Sequence, residues 1–342
     1  MYDLIIVGSG PAGLVAALSA KRNGLDYLVL ERGVIANTIY NYPIAKPLFS
    51  TSEEVELEPG ALGRDSKPTR EEVLTHYNDL IMREAVEIRT GEDVRSITPA
   101  GEGLLVETDV NRYKSRNVLV ATGGFGRQRK LNVPGEVAER VSYRFVEAFP
   151  YAMKRVLVVG GGNSAAEAAL FLADAGARVT LSVRRESLDL PDDIDDASEA
   201  AGRPRAKIKP WVQEPLEQAA SIGRVKIITS SEVVEIRPRS ALLRIARDGR
   251  GDIVEGDIVE IECDHVFALI GADPDTKLLE EAGVEIAADG RPVYDPQTFE
   301  TSVSGLYVAG HITRELHMKN AVEVTRRVTD HIVAQVFERS SR

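Results

Sequence analysis

Leu4-Ile5-Ile6-Val7-Gly8-Ser9-Gly10-Pro11-Ala12-Gly13 opens the chain with a short apolar run and three glycines at the spacing G-x-G-x-x-G. An apolar run bounded by glycine reads as a strand buried on both faces of a parallel sheet. Gly8 permits the tight turn off that strand, Gly10 lets backbone approach a pyrophosphate, and Gly13 lets the next helix pack closely on the strand. Pro11 and Ala12 begin that helix, whose free N–H groups and positive dipole end suit phosphate. It is expected to run to about Asn23, with Gly24 as its C-terminal cap, before the strand Tyr27-Leu28-Val29-Leu30. Glu31, next to Arg32, ends that strand where an acid accepts ribose hydroxyls. Glycines alone are a weak signal, but strand, turn, helix, strand and terminal acid in this order are specific to a dinucleotide site, read here as FAD.

The pattern recurs once. Val156-Leu157-Val158-Val159 leads into Gly160-Gly161-Gly162-Asn163-Ser164-Ala165, a helix to about Ala175, a cap at Gly176 and the strand Val179-Thr180-Leu181-Ser182-Val183. Ala165 takes the third place of the fingerprint, which tolerates it. The terminal acid is replaced by Arg184 and Arg185. Guanidinium groups there can hold the 2′-phosphate of NADPH through charge-assisted bonds, whereas a carboxylate would repel it. The other reading is two solvated loop arginines.

The surroundings are those of an ordinary α/β enzyme of two three-layer, Rossmann-like domains. The chain has 342 residues, 43% hydrophobic and 28% charged, which suits two compact domains. A net charge of −11 argues against a nucleic-acid partner. No apolar run approaches the roughly 20 residues of a membrane span, and no signal peptide precedes the first strand, so no membrane role and a cytoplasmic location are expected. The single cysteine, Cys263, excludes an intrachain disulfide, a thiolate metal cluster and a CxxC pair. No metal-ligand spacing or Ser/His/Asp constellation stands out, so no metal is expected.

Between the repeats, 37–67 is rich in Pro, Tyr and Ser and reads as a long surface loop. Thr69 is the expected N-cap of a helix from Arg70 to about Arg83. Strands are expected at 87–89, 94–97, 104–108 and 118–121, the last followed by Thr122-Gly123-Gly124. After the second repeat they are expected at 225–228, 232–237, 242–246, 259–262 and 266–271. Gly305-Leu306-Tyr307-Val308-Ala309-Gly310-His311 reads as one more buried strand and turn, and 320–337 as a terminal helix. Asp189 to Arg205 reads as a surface loop.

Two such motifs, Ala121-Thr122-Gly123 between them and Gly305 to His311 near the end, resemble the low-molecular-weight thioredoxin reductase group of FAD-dependent pyridine nucleotide-disulfide oxidoreductases. The resemblance covers essentially the whole chain. It implies a split FAD domain, 1–124 plus 273–342, with an NADPH domain inserted at 125–272, and a homodimer. It is nearest to the bacillithiol disulfide reductase branch, on Asn37 to Pro43, Phe49 to Glu53, Lys67 to Arg70, Phe149-Pro150-Tyr151 and Lys209-Pro210-Trp211. Thioredoxin reductases carry CxxC just before the second glycine cluster, but 141–149 here holds no sulfur, which excludes a dithiol relay. The bacillithiol branch typically places a cysteine after the proline of its FAD motif, where this chain has Ala12. Thioredoxin reductases place an aspartate near the ribityl chain where this chain has His311. Cys263, between Glu262 and Asp264, reads as structural because acidic neighbours disfavour a thiolate.

By the resemblance, the nicotinamide stacks on the flavin and delivers hydride to it, and the flavin carries the chemistry. Gly310, His311, Asn320 and Ala321 join the FAD site, with the N–H groups of the terminal helix aimed at the flavin edge. Glu167 would lie near the nicotinamide, the alternative being a helix-surface carboxylate. His317 is a weak proton-donor candidate against a capping role. His76 reads as a helix-face residue, Trp211 as packing, and Lys46 and Tyr42 as possible flavin lining. Three exits for the electrons compete. One is a small-molecule oxidant such as a low-molecular-weight disulfide. Another is a small redox protein such as ferredoxin or flavodoxin, although reductases of that kind carry a C-terminal extension and this chain ends at Arg342. The last is an NADPH-binding sensor without fast turnover.

Overall fold

The structure is a computed structural model that describes residues 1–50, 52–58, 60, 62, 67–137, 139–188, 208–245, 256–315 and 318–340. Contacts divide the chain into two compact units, Met1–Arg127 with Asp273–Arg342, and Gln128–Ala272.

The first unit opens with β1 (Tyr2–Val7), α1 (Pro11–Arg22) and β2 (Tyr27–Glu31). Side chains of β1 alternate between two cores, as a strand covered on both faces must. Leu4 and Ile6 join Leu14 and Leu18 of α1, whereas Ile5 and Val7 join Leu28, Val118 and Val120 on the other face. The short helices α2 (Asn37–Tyr40) and α3 (Ser52–Val55) precede α4 (Arg70–Arg83). Thr69 caps α4 in a capping box with Glu72. Then come β3 (Ile88–Thr90), β4 (Val94–Ala100), β5 (Gly103–Thr108) and β6 (Arg112–Val120). The sheet order is β3-β2-β1-β6-β5-β4. Its first four strands run parallel, and β5 and then β4 are added by antiparallel pairing.

The short β7 (Arg127–Gln128) stands at the junction in sequence. The second unit builds a parallel sheet from β8 (Val141–Ser142), β9 (Arg155–Val159), β10 (Arg178–Ser182) and β11 (Val225–Ile228), with α5 (Asn163–Asp174) and α6 (Pro210–Ser221). An antiparallel sheet of β12 (Ser231–Arg237), β13 (Ser240–Ile245) and β14 (Asp257–Glu262) follows, then β15 (His265–Ala268) returns to the centre, giving β11-β10-β9-β15-β8. Val233, Ile236 and Leu243 of the antiparallel sheet pack with Leu157 and Val266 of the parallel one.

After β16 (Ala272–Asp273) and α7 (Lys277–Glu281), β17 (Leu306–Val308) pairs in parallel with β6, and α8 (Met318–Ser340) closes the chain. Val324, Val328 and Ile332 of α8 share a core with α1. Among the described residues no helix is long and apolar enough to cross a membrane.

Several expectations change. Residues 37–67 are not merely a surface loop: Ile39, Leu48, Val55 and Leu57 are buried in the core with α1 and Tyr77. Wide spacing of these anchors hides them from any periodicity. The terminal helix begins at Met318 rather than Asn320, which places Asn320 within the first turn and Ala321 in the core. Trp211 is 49% exposed, so about half of its surface is covered. Pro210 starts its helix, and Pro215 lacks the amide that would bond the Trp211 carbonyl, which suits a solvated turn. The loop 189–205, His317 and Ala246 lie outside the described residues.

Candidate functional site

In the first unit, three segments meet where parallel strands end. The Gly8–Gly13 turn follows β1, Ala121 to Gly124 follow β6, and Ala309 to Thr313 follow β17. The contacts are tight. A Cβ on Gly8, at φ +105°, would stand 2.6 Å from the Ala121 carbonyl oxygen; one on Gly124 would stand 2.8 Å from that of His311; one on Gly310 would stand 2.9 Å from the Ala12 Cβ. Arg291 holds the last segment by donating from Nη1 to the carbonyls of His311 and Thr313. Gly10 differs: nothing lies within 4 Å of its Cβ position. That open face beside the start of α1 is the cradle a pyrophosphate needs.

Glu31 ends β2 with its side chain 7% exposed. Its Oε2 accepts from the Ser9 amide and hydroxyl, each at 2.9 Å, and its Oε1 from the Gly33 amide at 2.8 Å. A carboxylate has roughly four acceptor positions, so one remains for a ribose hydroxyl and a second opens if the Ser9 hydroxyl turns aside. Ser9, fully buried in the middle of the glycine turn, is a partner the sequence reading missed although it sits inside the motif. Arg32 and Thr122 are exposed, and Gly123 has φ +82°. His311 lies in a single 3-10 turn, Gly310–Ile312, with the Phe125 ring edge-on at 6.3 Å.

The second unit repeats the geometry on β9 and α5. A Cβ on Gly160, at φ +147°, would stand 2.4 Å from the Leu269 carbonyl oxygen, while Gly162 faces open space. Ala165 is fully buried, and Ser164 is exposed. The Asn163 Oδ1 accepts from the Lys209 amide at 2.8 Å, tying the starts of α5 and α6 together. Arg184 is exposed, but Arg185 donates from Nη2 to the Gly161 carbonyl, so the two cations occupy different settings. Glu167 is 8% exposed, which overturns the surface-carboxylate alternative.

The other candidates have settings of their own. The Lys46 ammonium is buried over the Tyr42 and Phe49 rings, at 5.1 and 4.7 Å from their centroids. His76 is half-buried on α4 beside Tyr77, and burial lowers its pKa. Cys263 is fully buried in the core of the second unit. Burial, more than its acidic neighbours, raises its pKa, against the opposing effect of Arg140.

A cluster the sequence did not flag surrounds His265, at the start of β15 and so at the opposite strand edge from the glycine turn. Its Nε2 lies 2.9 Å from the Ser142 hydroxyl, and its ring packs on Tyr151 and Phe267. Burial, then Arg140 and Lys154, lower its pKa to about 4. The unfolded imidazole titrates near 6.5 and so takes up a proton that the native one refuses as pH falls between these values. Stability contributed by the neutral ring is present above pH 6.5 and lost toward pH 4, by about 2 kcal/mol once partial screening is allowed for. Urea unfolding at pH 7.5 and 4.5 should show this loss in the wild type and a smaller one in His265→Phe; equal losses would refute it.

Comparison with known proteins follows the same lines. Residues 5–310 match the family described as pyridine nucleotide-disulphide oxidoreductase. The chain belongs to this family. It is therefore an oxidoreductase, and FAD and NADPH are the cofactors of its thioredoxin reductase-like class. It is 33% identical over 98% of both chains to bacilliredoxin reductase Bdr of Bacillus subtilis. The solved bacillithiol disulfide reductase Bdr of Bacillus cereus superposes with a TM-score of 0.85 at 31% identity, covering 98% of this chain and 99% of that one. A ferredoxin–NADP reductase of Ignicoccus hospitalis is 29% identical over 92% of this chain and 90% of its own.

Proposed function

We propose that this protein moves electrons from NADPH, by way of FAD, to a small disulfide of the bacillithiol kind. The observation that carries the reading is the pair of glycine turns, open at Gly10 and at Gly162, the second glycine of each G-x-G fingerprint, with an acid beyond one and two arginines beyond the other. In the first unit Gly8, Gly10, Pro11, Ala12 and Gly13 receive the FAD pyrophosphate, Glu31 and Arg32 its adenosine end, and Thr122, Gly123, Gly310, His311, Asn320 and Ala321 the remainder. In the second, Gly160, Gly162, Asn163, Ser164 and Ala165 receive the NADPH pyrophosphate, and the Arg184–Arg185 pair supplies the positive charge that favours its 2′-phosphate. FAD, when bound, supplies the two-electron chemistry; the chain supplies binding, orientation and charge. His311 offers a hydrogen-bonding imidazole where the thioredoxin reductases carry a carboxylate.

Relatives named for bacilliredoxin and bacillithiol disulfide support the acceptor class. Cys263 is buried in the core of the second unit and is no relay, so the acceptor meets the flavin without a protein thiol. A cytoplasmic homodimer completes the proposal, with light scattering as its measure. One second reading has support: the Ignicoccus relative and the absence of sulfur from 141–149 suit a ferredoxin-type acceptor.

The test is anaerobic reduction of the yellow protein by NADPH, followed by a panel of bacillithiol disulfide, glutathione disulfide, ferredoxin, quinone and oxygen. Disulfide turnover is expected in the wild type. Ala12→Cys should raise it roughly tenfold per bound flavin, by adding a thiol that splits one step into two. Turnover with ferredoxin alone, in both proteins, would instead establish the second reading.

A further inference from the structure

The second unit treats its two arginines unlike each other. Arg184 follows the buried Val183 and is exposed. Arg185 is committed to the glycine turn: Nη2 donates to the Gly161 carbonyl, and a Cβ on Gly161 would stand 3.2 Å from Nη2 and 3.3 Å from Nε. The guanidinium thus lies against the middle residue of the turn. Its backbone is held as well. The Arg185 carbonyl accepts from Ser230 at 2.7 Å, and Val183 is bonded on both sides, to the Ile228 carbonyl and from the Ser231 amide.

Resting on the nucleotide reading above, we infer that the two arginines divide the work: Arg184 reads the 2′-phosphate, and Arg185 is a positioning residue that holds the Gly160–Gly162 turn for either nucleotide. An exposed guanidinium accepts a phosphate without surrendering a partner, and its fork matches the anion. Arg185 keeps further N–H donors, but its bond to the Gly161 carbonyl fixes the plane of its guanidinium against the turn and so restricts where those donors can point. In place, it offsets the partial negative charge of a carbonyl within a turn built to receive an anion. Discrimination between NADPH and NADH therefore rests on Arg184, and affinity for both rests on Arg185.

The experiment titrates oxidised, FAD-loaded protein by calorimetry with 2′-phospho-ADP-ribose and with ADP-ribose, which differ only in the 2′-phosphate. Arg184→Ala should weaken the phosphorylated probe about 30-fold, the worth of a hydrogen bond between charged groups, and leave ADP-ribose within about twofold. Arg185→Ala should weaken both probes by one common factor, about fivefold. Arg185→Lys, which keeps one charged donor, should restore both to within about twofold; a purely structural defect would not be rescued in this way. Retained preference in Arg184→Ala, or preference lost selectively in Arg185→Ala, would overturn the division while leaving NADPH binding intact. Equal binding of the two probes by the wild type would remove the NADPH preference itself, and the division with it.

Discussion

Glu31→Ala is expected to lower FAD affinity about 100-fold and to destabilise the FAD-free protein by about 3 kcal/mol. The second effect follows from the geometry alone. The carboxylate satisfies the Ser9 amide, the Ser9 hydroxyl and the Gly33 amide, and Ser9 is fully buried. Each buried donor left unpaired costs about 1–3 kcal/mol, and water entering the vacated space recovers part of it. The first effect adds the ribose. One or two hydroxyls bonded to a charged acceptor are together worth about 3 kcal/mol, or about 100-fold in the dissociation constant. Glu31→Gln separates the contributions: its amide oxygen keeps one side of the network, while its NH2 meets a donor on the other, so its losses should be intermediate. Bound flavin after gel filtration and urea unfolding of the apoprotein measure the two effects. Full retention of FAD by Glu31→Ala would place the adenosine end somewhere else.

Some of this arrangement was legible in the residues and some was not, for physical reasons. The β1-α1-β2 and β9-α5-β10 units are local: each needs only a strand period, a glycine turn and a helix period within about 30 residues, and each lies where that pattern puts it. The capping box at Thr69 was legible for the same reason, since its partner Glu72 is three residues away. What failed was non-local or irregular. Residues 37–67 carry turn-forming composition, yet isolated anchors such as Ile39 and Leu48 are buried in the core. The cluster of Ser142, Tyr151 and His265 joins residues 123 positions apart at its widest through strand pairing that no local pattern announces. Within the candidate sites, the glycines and terminal charges could be read because spacing alone specifies them. The unlike settings of Arg184 and Arg185 could not, because adjacency in sequence says nothing of which guanidinium turns back onto Gly161.

The sharpest contrast within one motif lies between Gly13 and Gly10. A Cβ on Gly13 would stand 1.9 Å from the Gly8 carbonyl oxygen, a backbone atom inside a turn that is itself packed against Ala121. Neither partner can yield without moving α1 off β1, and both elements are buried in the core of the first unit. Gly13→Ala is therefore expected to cost more than the usual 1–3 kcal/mol of overpacking and to give mostly insoluble or unfolded protein. Gly10 has φ −71° and ψ −179°, a conformation open to alanine, and nothing lies within 4 Å of its Cβ position. Gly10→Ala should fold with a melting temperature near that of the wild-type apoprotein. The space its methyl occupies is the space a pyrophosphate needs, so the same variant should lose FAD affinity about 100-fold or more. Steric overpacking and ligand exclusion are thereby separated by two single methyl groups three residues apart. If Gly10→Ala bound FAD as the wild type does, the open face beside α1 would not be the pyrophosphate site, however well the rest of the turn matched.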